Sequence, residues 1–162
     1  ERRLVDELDG LDPTVDARRL VRLETTLWAA GPLRLEDDLD LPRGDMLVDP
    51  DDRPVTAREL EATICWMSER PLQPGARLGV KHTTRNVRAI VDGIDGVVDL
   101  DTLEEHAATE MALNDIGTVR LRLSGPLLVD PYAVNRATGS FILIDEATND
   151  TVAAGMVRTA RA

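Results

Sequence analysis

Alternation of apolar and polar residues with a period of two recurs after residue 57, and it constrains the fold more than any motif. In Glu59–Met67, Leu60, Ala62, Ile64 and Trp66 alternate with Glu59, Glu61, Thr63 and Cys65. Successive strand side chains point to opposite faces, so this pattern predicts a strand with one buried face. Asn86–Ile94 repeats it with Val87, Ala89 and Val91, and Thr118–Leu123 with Val119, Leu121 and Leu123. Arg77–Lys81 reads as a short strand after the turn residues Pro71, Pro74 and Gly75. Ser140–Asp145 is apolar on both faces, as a central strand is, and Thr148–Asp150 turns the chain into Thr151–Val157. Short strands punctuated by Gly, Pro, Asn and Asp predict an all-β unit, a closed barrel or a sandwich. Only Asp101–Ala108 reads as a helical turn, with Asp101 or Thr102 as its cap.

Residues 1–56 differ. They hold 8 Arg against 15 acids, whereas residues 57–162 hold 11 cations against 15 acids. Glu36–Asp52 carries most of the acidity, interrupted by Pro42, Gly44 and Pro50. Proline and glycine break regular structure, and like charges repel, so Pro42–Pro54 reads as a connector. The expected division is a first module over 1–48, a linker over 49–56, a second module over 57–158 and a tail over 159–162. Within the first 35 residues, Asp12-Pro13 and Gly31-Pro32 bracket Leu20, Leu23 and Leu27 at helical spacings. On pattern alone a helix falls at Thr14–Ala30, with strands as the alternative.

The net charge of −11 argues against a nucleic-acid surface, because phosphate binding needs clustered cations. Trp28, Trp66, Tyr132 and Phe141 are the only aromatic residues, too few for a base-stacking platform. One cysteine, Cys65, excludes an internal disulfide and a cysteine-rich metal site. No apolar run approaches the roughly 20 residues of a membrane span, and no signal-peptide pattern is present, so a cytoplasmic location is expected. The first residue is Glu1 and not Met, which suggests a piece of a longer protein.

Several longer strings are more specific than this patterning. They are LRLEDDLDLPRGD (33–45), CWMSERPLQPG (65–75), VKHTTRNVRAIV (80–91), MALNDIGTVRL (111–121) and PLLVDPYAVNRATGSFILIDEATNDTVAAGM (126–156). In this order they resemble the C-terminal part of the large, GTP-binding subunits of bacterial ATP sulfurylase (sulfate adenylyltransferase subunit 1). These are elongation-factor-like GTPases in which a G domain precedes two β-barrels, sometimes with a fused adenylylsulfate kinase. The resemblance spans Leu33 to Met156. It implies translation-factor-type barrels, with 1–48 as a partial or diverged second-domain barrel and 57–158 as the third-domain barrel. It also favours strands at Arg18–Thr25 and Ala29–Glu36 over the helix. It places GTP and Mg in the G domain, and the joining of sulfate to AMP in the small ATP- and sulfate-using subunit, the implied partner. An adenylylsulfate kinase is a second implied partner.

The chain itself lacks the parts for that chemistry. A phosphate cradle of the form G-x-x-x-x-G-K-[ST] needs a lysine behind a glycine pair. The single lysine, Lys81, has no glycine pair at that spacing before it. No Asn-Lys pair exists for guanine selection, and no Gly-x-Gly for a dinucleotide loop. No catalytic residue, GTP-binding residue, metal ligand or cofactor is therefore expected. His106 beside Glu104 and Glu105 reads as a solvated acidic turn, and His82 as a hydrogen-bonded structural histidine. Cys65 reads as a free thiol with no histidine near in sequence. Ser68 and Ser140 lack a nucleophile elbow. Glu36, Asp37, Asp38 and Asp40 read as a solvated face, and Arg43-Gly44-Asp45 as a turn.

The best candidate for a specific role is the loop Asn135-Arg136-Ala137-Thr138-Gly139. Gly139 is expected to supply a left-handed turn, and Arg136 presents a planar fork suited to a carboxylate or phosphate. The competing reading is an internal ion pair or backbone hydrogen bond that fixes the loop. Three functions are compatible with these observations. One is a non-catalytic barrel region coupling GTP hydrolysis to adenylylsulfate formation, with strand edges and connector as contact surface. A second is a free-standing scaffold or regulatory paralogue without a G domain. The third, a tRNA-binding translation-factor fragment, is opposed by the charge.

Overall fold

The computed structural model describes residues 14–16, 44–48 and 53–162. All described elements are strands: β1 (Thr14–Asp16), β2 (Met46–Val48), β3 (Val55–Trp66), β4 (Arg77–His82), β5 (Arg85–Val98), β6 (Glu105–His106), β7 (Ile116–Val129), β8 (Ser140–Ile144) and β9 (Thr151–Arg161). The chain divides into two compact units, Glu1–Arg53 and Pro54–Ala162.

In the first unit β1 and β2 pair in parallel, with Thr14 opposite Met46, Val15 opposite Leu47 and Asp16 opposite Val48. The helix expected from Thr14 therefore fails at its start. Thr14–Asp16 gives its backbone groups to a neighbouring strand, and tertiary pairing outweighs local propensity. The rest of Thr14–Ala30, both candidate strands Arg18–Thr25 and Ala29–Glu36, and the acids Glu36, Asp37, Asp38 and Asp40 lie outside the described residues. The expected connector Pro42–Pro54 is also corrected, since it contains β2. Gly44 turns the chain into that strand with φ 111°.

The second unit is a barrel. β4, β8, β9, β3, β7 and β5 hydrogen-bond side by side in that order, and antiparallel pairing of β4 with β5 closes the ring. β6 adds two residues to the far end of β5, with Val97 opposite His106 and Val98 opposite Glu105. The six closed strands therefore offer no open edge, and the expected contact surface along strand edges is absent from them.

The alternation decides the inside. Leu60, Ala62, Ile64 and Trp66 are buried on β3. Leu60 lies opposite Leu121, and Ala62 opposite Val119 and Val157. Phe141 enters from β8 and lies over Gly155 of β9, where a methyl group would overlap its ring. The scarcity of aromatics thus has a local consequence: one glycine admits one phenylalanine to the barrel centre. Trp66 caps the same interior, its indole Nε1 donating to the Arg70 carbonyl at 2.9 Å.

Three boundaries differ from expectation. Val55 and Thr56, assigned to a linker, begin β3 and pair with Val129 and Leu128. Thr159–Arg161, assigned to a tail, complete β9 against Glu59–Glu61. Asp101–Ala108 is no helical turn. The carboxylate of Asp99 accepts from the amides of Asp101 (2.8 Å) and Thr102 (3.0 Å), and the chain re-enters the sheet as β6. A side chain that bonds the backbone two and three residues on stabilises a turn in competition with a helix.

Truncating Phe141→Ala should cost about 3–5 kcal/mol, because it leaves a cavity that the barrel closes only in part. Urea denaturation checks this; an unchanged midpoint would contradict the central placement of the ring.

Candidate functional site

The loop 130–139 joins β7 to β8 and is bound tightly to the barrel. The Tyr132 amide donates to Val157 O at 2.9 Å, and the Val157 amide donates back to Gly139 O at 2.8 Å. Inside the loop, Val134 and Asn135 both donate to Pro131 O, and Gly139 donates to Asn135 O. The Asn135 side-chain oxygen accepts from the Ala137 amide at 3.0 Å. The Thr138 hydroxyl donates to the Asp130 carboxylate.

The Thr138 carbonyl is a second anchor. It accepts from Asp130 N at 3.3 Å and from His82 Nε2 at 2.7 Å. A carbonyl cannot donate, so Nε2 carries the hydrogen. His82 ends β4 and is buried. Burial pushes its pKa below the ordinary histidine value, against the opposing influence of the Thr138 bond and the Asp130 charge. Sequence reasoning gave His82 a structural bond but no link to this loop, because 56 residues separate the partners.

Gly139 is needed for a reason other than the one expected. The glycines with positive φ among the described residues are Gly44 and Gly75. At Gly139 a Cβ would come within 2.5 Å of Tyr132 Cα and 2.6 Å of Asn135 O. Space, and not a left-handed turn, excludes a side chain there.

Arg136 stands apart from the other three. Asn135, Thr138 and Gly139 hold the loop's backbone, whereas the exposed Arg136 guanidinium lies 6.0 Å from the centroid of the Tyr132 ring. That contact is at the outer limit of a cation–π interaction. Among the described residues Arg136 joins none of the ion pairs, which involve Arg88, Arg120, Arg122 and Arg158.

Tyr132 also borders a groove of about 540 Å³ on the outside of the barrel. Its floor follows from the register. Lys81 lies opposite Ile142, Ile142 opposite Ala154, Ala154 opposite Cys65 and Cys65 opposite Ile116. Met156, 40 % exposed, fills the next row beside Thr63 and Ser140. Lys81 is the only charged residue lining this groove. Cys65 is a partly exposed free thiol in the floor, and Ser140 also lines the groove. His106 sits on β6, and no metal-holding group of His, Cys, Asp and Glu occurs among the described residues. Among those residues no helix is long and apolar enough to cross a membrane.

The closed six-stranded barrel has the fold of barrels found in translation-factor-type GTPases. Residues 59–158 match the family described as GTP-eEF1A C-terminal domain-like, and the chain belongs to that family. It is 50 % identical over 127 residues to the bifunctional enzyme CysN/CysC of Mycobacterium tuberculosis, covering 77 % of this chain and 21 % of that protein. It is 45 % identical over 145 residues to sulfate adenylyltransferase subunit 1 of Tolumonas auensis, covering 86 % and 31 %. The subunit 1 of Shewanella woodyi is 44 % identical over 126 residues, covering 78 % and 27 %. The chain thus spans between a fifth and a third of the length of these relatives. Among solved structures, Sup35 complexed with GMPPNP shares the fold, with a TM-score of 0.71, 17 % identity, and coverage of 80 % of this chain and 32 % of that one.

His82 gives the unit a pH dependence of defined sign. Its folded pKa is depressed, so the unfolded state binds the extra proton as pH falls through the ordinary value near 6.5. Its contribution is present above that value and lost as pH drops toward the folded pKa. Melting temperature measured between pH 7.5 and 5 should therefore fall on this account, and less in His82→Gln. Gly139→Ala should destabilise by about 1–3 kcal/mol at any pH, since the added methyl meets backbone.

Proposed function

We propose that this chain is the non-catalytic barrel region of the GTPase subunit of a sulfate adenylyltransferase of sulfate assimilation. In this reading GTP and Mg bind in a G domain, and the ATP- and sulfate-using small subunit makes adenylylsulfate. The barrel couples the two through protein–protein contact, in a soluble complex of the cytoplasm. An adenylylsulfate kinase is a further partner where one is fused or associated. The loop residues Asn135, Arg136, Thr138 and Gly139 form an interaction element, with Arg136 offered to a carboxylate.

The observation that carries the reading is the outward groove between Lys81 and Ile116. A row of uncharged side chains crosses four strands of an acidic protein, with one lysine on the fifth and no carboxylate among the groove's lining residues. Exposed apolar ground of this kind on a soluble domain marks a contact surface. The identity of 44 % and 45 % to two proteins named sulfate adenylyltransferase subunit 1 supports the assignment of the complex. Coupling itself needs only that the contacts differ between two states, by an amount on the order of 1–3 kcal/mol.

The 162-residue chain should show no GTP hydrolysis, as its sequence holds no phosphate cradle. Turnover that survives repeated purification would refute this. It should also bind the small sulfurylase subunit of the same cell. Size-exclusion chromatography of the mixture at micromolar concentration should give one shifted peak, and two separate peaks would count against the reading.

A further inference from the structure

The turn between β5 and β6 presents two leucines to solvent, Leu100 at 62 % and Leu103 at 77 % exposure. It lies at the Trp66 end of the barrel, because Val97 pairs with Gly117 and Cys65 with Ile116 on the same strand β7. Met67 and Leu113, at 42 % and 44 %, are exposed in the connections at that end too. Four of the seven large apolar side chains exposed among the described residues are thus gathered there.

The turn is held in one shape. Leu103 N donates to Asp99 O at 2.8 Å, Asp99 N to Glu104 O at 2.9 Å, and the Asp99 carboxylate accepts from Asp101 and Thr102. Leu103 consequently adopts φ 60°, a left-handed conformation that a branched side chain rarely takes. No core contact compensates for this, since the side chain points into water. Backbone strain held at an exposed apolar side chain is a pattern of sites whose geometry serves contact.

The surroundings define the partner's chemistry. Asp99, Asp101, Glu104 and Glu105 flank the two leucines in sequence, with His106 the only basic residue of that stretch. Arg158 of β9 reaches Glu105 at 4.0 Å, so Asp99, Asp101 and Glu104 carry the charge of the turn. The amides of Thr102 and Asp101 hold the Asp99 carboxyl below the usual carboxylate range. A second copy of the chain is a poor occupant. Its net charge is also −11, and an isologous contact would set acid against acid.

We infer that Leu100 and Leu103 form a docking knob that enters an apolar cleft rimmed by Lys or Arg on the partner protein, the small sulfurylase subunit. This rests on the proposed function for the identity of the partner, and adds the surface. A pre-shaped turn loses little conformational entropy on docking, and the carboxylates steer a basic rim toward it. The knob is separate from the groove beside Tyr132, so the barrel has two contact surfaces.

The test is binding of the full 162-residue chain to the purified small subunit by isothermal calorimetry at 50 and 300 mM NaCl. Leu100→Ser/Leu103→Ser should weaken binding at least tenfold, and Asp101→Asn/Glu104→Gln at least threefold with a flatter salt dependence. Val55→Thr, at the opposite end of the barrel, should bind as the parent chain does. Leu103→Gly, which relieves the positive φ, should raise the melting temperature while weakening binding, so loss of fold and loss of contact separate. Parental affinity in both double variants overturns the knob and leaves the proposed function standing. No binding by the parent chain overturns both. Self-association of the parent chain that the leucine variant abolishes overturns the choice of partner.

Discussion

Closure of the sheet between β4 and β5 is the constraint on which the second unit depends. Residues 77–82 pair with 85–90, a hairpin of adjacent strands, while the other flank of β4 takes β8 from 60 residues further along. One short strand therefore seals a ring whose remaining strands arrive from both halves of the unit. Sealing requires the interior to be filled without being overfilled. Phe141 on β8 and the bare Gly155 on β9 meet that requirement together. His82 at the end of β4 then extends the seam beyond the sheet, because its bond to Thr138 O attaches the hairpin to the β7–β8 loop.

Once the ring is closed, the two sides of the barrel become chemically different. Across β5 and β7, Asp92 pairs with Arg122, Asp95 with Arg120, and Arg88 reaches Glu146 beyond β8. Exposed pairs of this sort add little stability. They keep that side solvated and leave few unsatisfied charges to select a ligand. Across β8, β9 and β3 the groove positions Ile142, Ala154, Met156, Thr63 and Cys65 are uncharged, and the pair Arg158–Glu61 (3.9 Å) follows further along β9 and β3. The barrel thus carries its β5–β7 ion pairs on one side and a largely uncharged groove on another, although the chain as a whole is strongly acidic.

What the residues reveal in advance follows from the range of each interaction. Alternation is a local signal, so β3, β4, β5, β7, β8 and β9 are legible from the positions of Leu60, Val80, Ala89, Val119, Phe141 and Val152. Their ends are not. Val55 and Thr56 follow Pro54 and look like linker, yet Val129 and Leu128 arrive from more than 70 residues away to pair with them. Gly93 and Gly96 break the pattern of β5 and hide its last turn, because bulges opposite Arg120 and Thr118 shift the register there. At the site, glycine in NRATG is visible as a necessity, but its reason is the nearness of Tyr132, which no spacing shows. The bond from His82 and the Asp99-capped turn are invisible on the same ground: one is long-range, and the other competes with a helix that the flanking residues equally permit.

A closed barrel also restricts how such a domain can transmit anything. Its interior is packed around side chains that are almost wholly buried, from Ile64 to Leu143, and packed cores resist continuous deformation. A change felt at one end is therefore passed to the other by movement of the whole body, with each contact made or broken at the surface. Two surfaces on one rigid body are the least that coupling demands. On the proposed reading, the groove on the β8–β9–β3 side and the leucine turn at the Trp66 end are those two surfaces. A cradle for a nucleotide within the barrel would bring flexible, glycine-rich backbone into the element that, on that reading, transmits by its stiffness. The separation of chemistry from coupling is, on the proposed reading, a mechanical consequence of the fold.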